Sequence, residues 1–293
     1  MEKRVVYFYS EGSRLEGDLF LPADLRPGEK RPGIVVCHGF TGIRELILPE
    51  YARVFTEAGY VSLTFDYRGF GGSEGSKWRL IPLDQIEDIR NAITFLQAQA
   101  EVDPERIGVW GTSFGGAHAP YVAGVDARVK VAVGQVGFGD GERFVQDVRS
   151  YSERVELLRQ LEEDRRIRVL SGEGGKLDPL ELALRDPQSR AFLPEAIKAY
   201  PQMRCELSWE TLEKTLEYKP IDVVDRISPR ALLLVGAKKD TICPIEGYQK
   251  LYERAREPKR LAILPITHYE IYGGQWFEES SRLAREWFDR FLK

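Results

Sequence analysis

Short apolar runs alternate with amphipathic stretches along most of the chain. Residues 5–9 and 15–21 read as two strands joined by the polar turn Glu11-Gly12-Ser13. After a Pro- and Gly-containing loop over 22–32, the run Gly33-Ile34-Val35-Val36-Cys37 is apolar at every position. A strand reads this way when both of its faces are covered, as in the middle of a parallel sheet. A helical pattern over 46–58 stops at Gly59, and a strand over 60–65 follows. Over 82–99, Leu83, Ile86, Ile89, Ile93 and Leu96 recur at helical spacing. Another buried-type strand over 106–110 leads into the Gly-rich segment 111–116, a short helix, and a strand over 129–133.

From about Gly137 to Tyr218 the periodicity changes. Charged helical patterns such as 152–166, a Gly-rich loop at 171–176 and short helices near 194–200 and 209–218 replace the strand–helix alternation, and no buried strand stands out. The alternation returns with a strand over 231–235, a helix over 245–256, a strand over 260–264 and a final helix over 276–292. The predicted fold class is α/β, a mostly parallel central sheet with helices on both faces. Residues 1–136 and 219–293 form its core, and 137–218 a mostly helical insertion over the sheet.

Composition narrows the function classes. The 293 residues are 43% hydrophobic and 30% charged with a net charge of −4, which suits a folded globular chain and not a general polyanion binder, so no nucleic-acid partner is expected. Cys37, Cys205 and Cys243 are odd in number, widely spaced and without metal-type spacing, so neither a disulfide framework nor a cysteine metal site is expected. The three histidines, His38, His118 and His268, make a histidine-rich metal site equally unexpected. The opening residues lack the apolar segment of a signal peptide and no apolar run reaches membrane-spanning length, which leads to the expectation of a cytoplasmic protein with no membrane partner. Asn91 is the only asparagine among abundant Glu, Arg and Lys, a bias shared with heat-adapted proteins.

The candidate chemistry lies in Gly111-Thr112-Ser113-Phe114-Gly115, the Gly-x-Ser-x-Gly pattern of a nucleophile elbow, set between a predicted strand and a predicted helix. A serine on so sharp a turn takes strained backbone angles, and flanking glycines remove the side chains that would collide. A serine hydroxyl needs a base. His268 follows the strand over 260–264 and is the candidate; His38 fits a structural role beside a Gly-containing loop, and His118 a packed or surface position on the helix after the serine. Asp240, in the loop after the strand over 231–235, is the candidate orienting acid, with Glu246 and Asp225 as poorer substitutes. Backbone N–H groups must meet the oxyanion of a tetrahedral intermediate. The N–H of Phe114 at the helix start is one candidate, and that of Phe40 in His38-Gly39-Phe40-Thr41-Gly42 the other, with Gly39 as its alternative.

Two further features are read as structural. Asp66 through Ser73 is a tight loop held by Asp66 and Arg68, not a phosphate cradle, because it lacks the Lys-Ser/Thr ending of one. Phe144, Tyr151, Phe192, Trp209 and Tyr218 of the insertion either line an acyl pocket or form the insertion's own core.

With His38-Gly39-Phe40, Asp66-Tyr67-Arg68-Gly69, Gly111–Gly115, Asp240 and His268 in this order, the chain resembles the α/β-hydrolase superfamily over nearly its whole length. More narrowly it is similar to the dienelactone-hydrolase-like and X-Pro dipeptidyl-peptidase-like groups, many of whose members are carboxylesterases. Ser113 departs from the cysteine nucleophile of dienelactone hydrolases and from the aspartate of dehalogenases and epoxide hydrolases, so those substrates do not carry over. The resemblance implies that 137–218 is a cap and that the reaction is hydrolysis of a small-molecule carboxylic ester through an acyl-enzyme, with no cofactor. A peptidase, amidase or acyltransferase using the same three side chains is the alternative, and a non-catalytic binding protein on this scaffold the remote one. A homodimer is compatible with the sequence.

Overall fold

The first two strands, β1 (Glu2–Ser10) and β2 (Ser13–Leu21), form a hairpin whose turn residues Glu11 and Gly12 both have positive φ. That is the twist-compatible geometry of a two-residue hairpin turn. The computed structural model describes residues 1–293 and continues with β3 (Arg31–Cys37), α1 (Leu48–Glu57), β4 (Val61–Phe65), α2 (Pro82–Gln97), β5 (Val102–Thr112), α3 (Phe114–Val125) and β6 (Val129–Gln135). The eight-stranded sheet is completed by two later strands, β9 (Ala231–Ala237) and β10 (Lys259–Leu264), in the order β1-β2-β4-β3-β5-β6-β9-β10. Every pairing from β4 to β10 is parallel; the two pairings made by β2 are antiparallel.

The period-two alternation of each central strand divides the core into two layers. Ile34, Val36, Trp110, Val131, Val133, Leu233 and Val235 face α1 and the final helix α10 (Gly274–Phe291), whose Leu283, Ala284 and Phe288 are buried there. Val35, Cys37, Val109, Ala132, Leu232 and Leu234 face the other way, against α2, α3 and α9 (Ile245–Arg254). α3 is buried almost all round, which explains why the sequence after Ser113 shows no polar stripe.

Between β6 and β9 the chain leaves the sheet. It forms α4 (Gly141–Gln146), α5 (Tyr151–Ser171), a two-residue strand β7 (Lys176–Leu177), α6 (Pro179–Leu182), α7 (Pro187–Ala199), a second short strand β8 (Leu207–Ser208) and α8 (Trp209–Glu217). α5 starts with a reciprocal Ser150/Glu153 capping box and stops at Gly172 in the left-handed region. α7 begins seven residues before the helix expected near 194–200. Its start signal is Asp186, whose carboxylate accepts from the N–H groups of Gln188 and Ser189, followed by Pro187 in the first turn. Buried Leu157, Leu161, Leu182, Leu193 and Leu212 from this excursion join the same apolar cluster as α2 and α3. No helix is long and apolar enough to cross a membrane.

Strand ends extend past the sequence reading. β5 starts at Val102, four residues before the expected strand, because Val102 pairs with Arg31 ahead of a register shift. Asp103-Pro104-Glu105 reads as a turn in isolation but is spanned by that irregular pairing.

Candidate active site

Ser113 stands between the end of β5 and the start of α3, with φ 56° and ψ −120°. A non-glycine residue there stores strain of about 1–3 kcal/mol and persists only where its surroundings over-determine it. They do so by close approach. A Cβ on Gly111 would lie 2.0 Å from the carbonyl oxygen of Gly115, and one on Gly115 would lie 2.5 Å and 2.6 Å from the carbonyl oxygens of Cys37 and His38. A Cβ on Gly39 would stand 2.8 Å from the Cβ of Ser113 itself. These contacts force glycine at the three positions and bring the loop after β3 against the serine.

His268 follows β10 and is buried, and its Nε2 lies 3.1 Å from the hydroxyl of Ser113. Its Nδ1 lies 2.7 Å from Oδ2 of Asp240, in the loop after β9. The other carboxylate oxygen, Oδ1, accepts from the backbone N–H groups of Ile242 and Cys243, both at 2.8 Å, which fixes the carboxylate plane. The structure thus joins the three distant side chains in one hydrogen-bonded line at the carboxyl edge of the parallel strands. With the carboxylate accepting from Nδ1–H, Nε2 is the free lone pair facing the hydroxyl.

The alternatives stand elsewhere. His38 is buried, its Nδ1 2.9 Å from the Gly39 carbonyl and its ring edge-on to Tyr67. Burial pushes its pKa down to about 4, so it is neutral at neutral pH and donates Nδ1–H to that carbonyl. His118 is fully buried between the hydroxyl of Tyr218 and Oε1 of Gln85, each at 2.9 Å, with its pKa pushed down to about 3 by burial first and by His38 second. Glu246 is in the first turn of α9, and Asp225 lies 3.5 Å from Arg254 in an ion pair.

The N–H of Phe40 makes no hydrogen bond within the protein. Phe114 is the first residue of α3, where the N–H groups have no intrahelical acceptor and the helix dipole favours an anion. Their rings approach with centroids 5.5 Å apart.

A mostly apolar cavity of about 60 Å³ opens over Ser113. Phe40, Ile47, Leu48 and Tyr272 contribute from the sheet side, and Leu184, Phe192, Leu193 and Met203 from the excursion. Of the insertion aromatics singled out in the sequence, Phe192 alone lines this cavity. Phe144 stacks on Phe138, Tyr218 packs on His118, Trp209 is half-buried against the core cluster, and Tyr151 is exposed. α7 is tied to the His268 loop by a 2.9 Å hydrogen bond between Ser189 and Tyr269 hydroxyls and by stacking of Phe192 on Tyr269 at 4.4 Å.

The loop Asp66–Ser73 corrects one reading. Asp66 holds it, accepting from the Gly72 N–H at 3.0 Å, but Arg68 turns away to Asp88 and Ser10. The cation on Asp66 is Arg44, which sequence reasoning passed over because its partner lies 22 residues ahead.

An eight-stranded, mostly parallel sheet wrapped by helices, with a serine at a strained strand-to-helix turn and a histidine and aspartate on later strand ends, defines an α/β hydrolase. The chain belongs to the family described as serine aminopeptidase, S33, whose model matches residues 28–272. It is 37% identical over 265 residues to an uncharacterized 31.7 kDa protein from the traX-finO intergenic region of Escherichia coli, covering 90% of this chain and 92% of that one. It is 30% identical over 296 residues to the thiohydrolase aneE of Aspergillus aculeatus, covering 94% and 88% of the two chains. The polyketide transferase grgF of Penicillium sp is 28% identical over 264 residues, covering 87% and 84%. The crystal structure of the alpha/beta hydrolase GrgF from Penicillium sp. sh18 superposes with a TM-score of 0.82 at 25% identity, over 100% of this chain and 99% of that one.

Proposed function

We propose that the protein is a serine acyl hydrolase that cleaves esters or thioesters of apolar acids through an acyl-enzyme on Ser113, with residues 137–218 as a cap over the acyl site. The observation that carries this reading is the hydrogen-bonded line from Asp240 through His268 to Ser113, at 2.7 Å and 3.1 Å. His268 takes the hydroxyl proton as Ser113 attacks the acyl carbonyl, and Asp240 stabilises the imidazolium. The N–H groups of Phe40 and Phe114 receive the oxyanion. His268 then returns the proton to the leaving group, which departs as the alcohol or thiol, and the neutral imidazole takes a proton from the water that releases the acid and restores the Ser113 hydroxyl.

The cavity lining bears on the substrate class. An aminopeptidase must hold a free ammonium group, and a buried cation needs a carboxylate partner. No Asp or Glu lines the cavity over Ser113, which is walled by Leu, Ile, Met and aromatic side chains. This favours an uncharged acyl group over an amino-terminal residue. The relatives named thiohydrolase and polyketide transferase extend the reading to thioesters, and the second name favours a second outcome, transfer of the acyl group from Ser113 to an alcohol.

Ser113→Ala is expected to abolish fluorophosphonate labelling and to lower hydrolysis of matched aryl esters and acyl thioesters by roughly 10³-fold or more. The free amino-acid anilides used for aminopeptidases are expected to turn over poorly in the wild type. Full ester and thioester turnover by the alanine variant would refute the assignment of Ser113.

A further inference from the structure

We propose that Arg44 is a positioning residue for the oxyanion site, acting as the pin that holds the loop after β3 in a strained shape. The proposal rests on the acyl-enzyme reading above. The loop carries Phe40, whose N–H faces the substrate in that reading, and it contains two β-branched residues in the left-handed region. Thr41 has φ 56° and Ile47 has φ 67°. Neither conformation is one that a β-branched side chain adopts freely, and both revert unless the surrounding structure prevents it. Arg44 lies midway between them.

Its environment is built to hold it. Arg44 is 7% exposed, and its backbone N–H donates to Oδ1 of Asp66 at 2.7 Å while its guanidinium pairs with Oδ2 of the same carboxylate. A second guanidinium nitrogen reaches Oε1 of Glu16 at 2.6 Å, and Nε lies 3.5 Å from Oδ2 of Asp18. Asp66 and Asp18 are themselves buried, at 0% and 1% exposure, so the two carboxylates require this cation. Lys3 supplies the other one, 2.9 Å from Asp18. Neighbouring backbone is shaped to the cluster as well. A Cβ on Gly71 would fall 2.3 Å from the Asp66 carboxylate, and one on Gly72 would fall 1.8 Å from the Glu16 carboxylate.

One side chain therefore ties β2, the loop after β3 and the loop after β4 to a single point. At the loop's other end, Gly39 is pressed against Ser113. Between these two anchors the strain at Thr41 is trapped and the N–H of Phe40 stays free of protein acceptors. Without the pin, Thr41 and Ile47 relax toward ordinary angles and carry Phe40 with them. A shift of the order of an ångström in a donor aimed at the transition state weakens catalysis without removing substrate binding.

The test uses the whole chain in two variants, Arg44→Met and the milder Glu16→Gln, with an aryl ester whose acyl group the wild type accepts. For Arg44→Met, kcat is expected to fall about 10–100-fold while KM changes less than about threefold. Affinity for a trifluoromethyl ketone of the same acyl group, which forms a tetrahedral adduct, should fall in parallel with kcat. Affinity for the product acid should hold. Glu16→Gln is expected to shift kcat and adduct affinity the same way by a few-fold. It keeps the readout available if Arg44→Met does not fold. Lowered thermal stability with kcat and adduct affinity intact in a folded variant would overturn the proposal. Failure of the wild type itself to form any fluorophosphonate adduct would instead sink the acyl-enzyme reading on which it rests.

Discussion

At the scale of single residues, the partners of a buried histidine distinguish the candidate catalytic base from the two that hold the frame. His268 is buried yet has a carboxylate on one nitrogen and a hydroxyl on the other. His38 and His118 are buried with neutral partners, and burial depresses both from the ordinary 6.5 to about 4 and about 3. The native state therefore binds fewer protons than the unfolded chain below pH 6.5. Their contribution is complete above that value and is lost as pH falls toward the folded pKa. Each histidine costs on the order of 3 kcal/mol of stability by pH 4. The buried carboxyls of Asp66 and Asp88, raised by burial, titrate in the opposite sense, so the informative quantity is a difference. The loss of melting temperature between pH 7 and pH 4.5 should be smaller in His118→Gln than in the wild type, as followed by circular dichroism; an equal loss would contradict the burial account. The three candidate side chains were legible because each stands in a local motif or just beyond a buried strand. Arg44 and Tyr269 were not, since their roles are set by partners 22 and 80 residues away.

At the scale of elements, apolar runs marked the parallel strands well, and their ends poorly. β9 and β10 carry the loops of Asp240 and His268, and both lay close to where period and length placed them. Helix α7 was partly hidden because Pro194 inside it reads as a helix start, whereas the actual start is Asp186-Pro187. The position of α7 bears on the specificity proposed for the site, since it presents Phe192 and Leu193 to the cavity. Leu193 is 4% exposed and lines that cavity, so on the proposed acyl-enzyme reading a larger side chain there takes room from the acyl group. Leu193→Trp is expected to lower kcat/KM for an octanoyl ester relative to the butanoyl ester by about tenfold or more. An unchanged ratio, measured under matched conditions, would place the acyl chain elsewhere.

At the scale of the whole molecule, the sheet acts as a rigid frame between two apolar layers. The excursion between β6 and β9 joins one of those layers, so the wall over Ser113 is continuous with the core. Hydrophobic periodicity predicted the frame. It was silent about the cavity, whose wall is assembled from loops and from helices with no periodic relation to one another. The frame brings residues 113, 240 and 268 to one rim, and the chemistry proposed for that rim makes a covalent intermediate unavoidable. The most direct test is rapid-quench mass spectrometry of the wild type during turnover of a slowly deacylating aryl ester. The account predicts a stoichiometric acyl adduct on the peptide containing Ser113, formed and discharged at rates competent for turnover. Sustained turnover with no adduct, or with the acyl group on another residue, would contradict it.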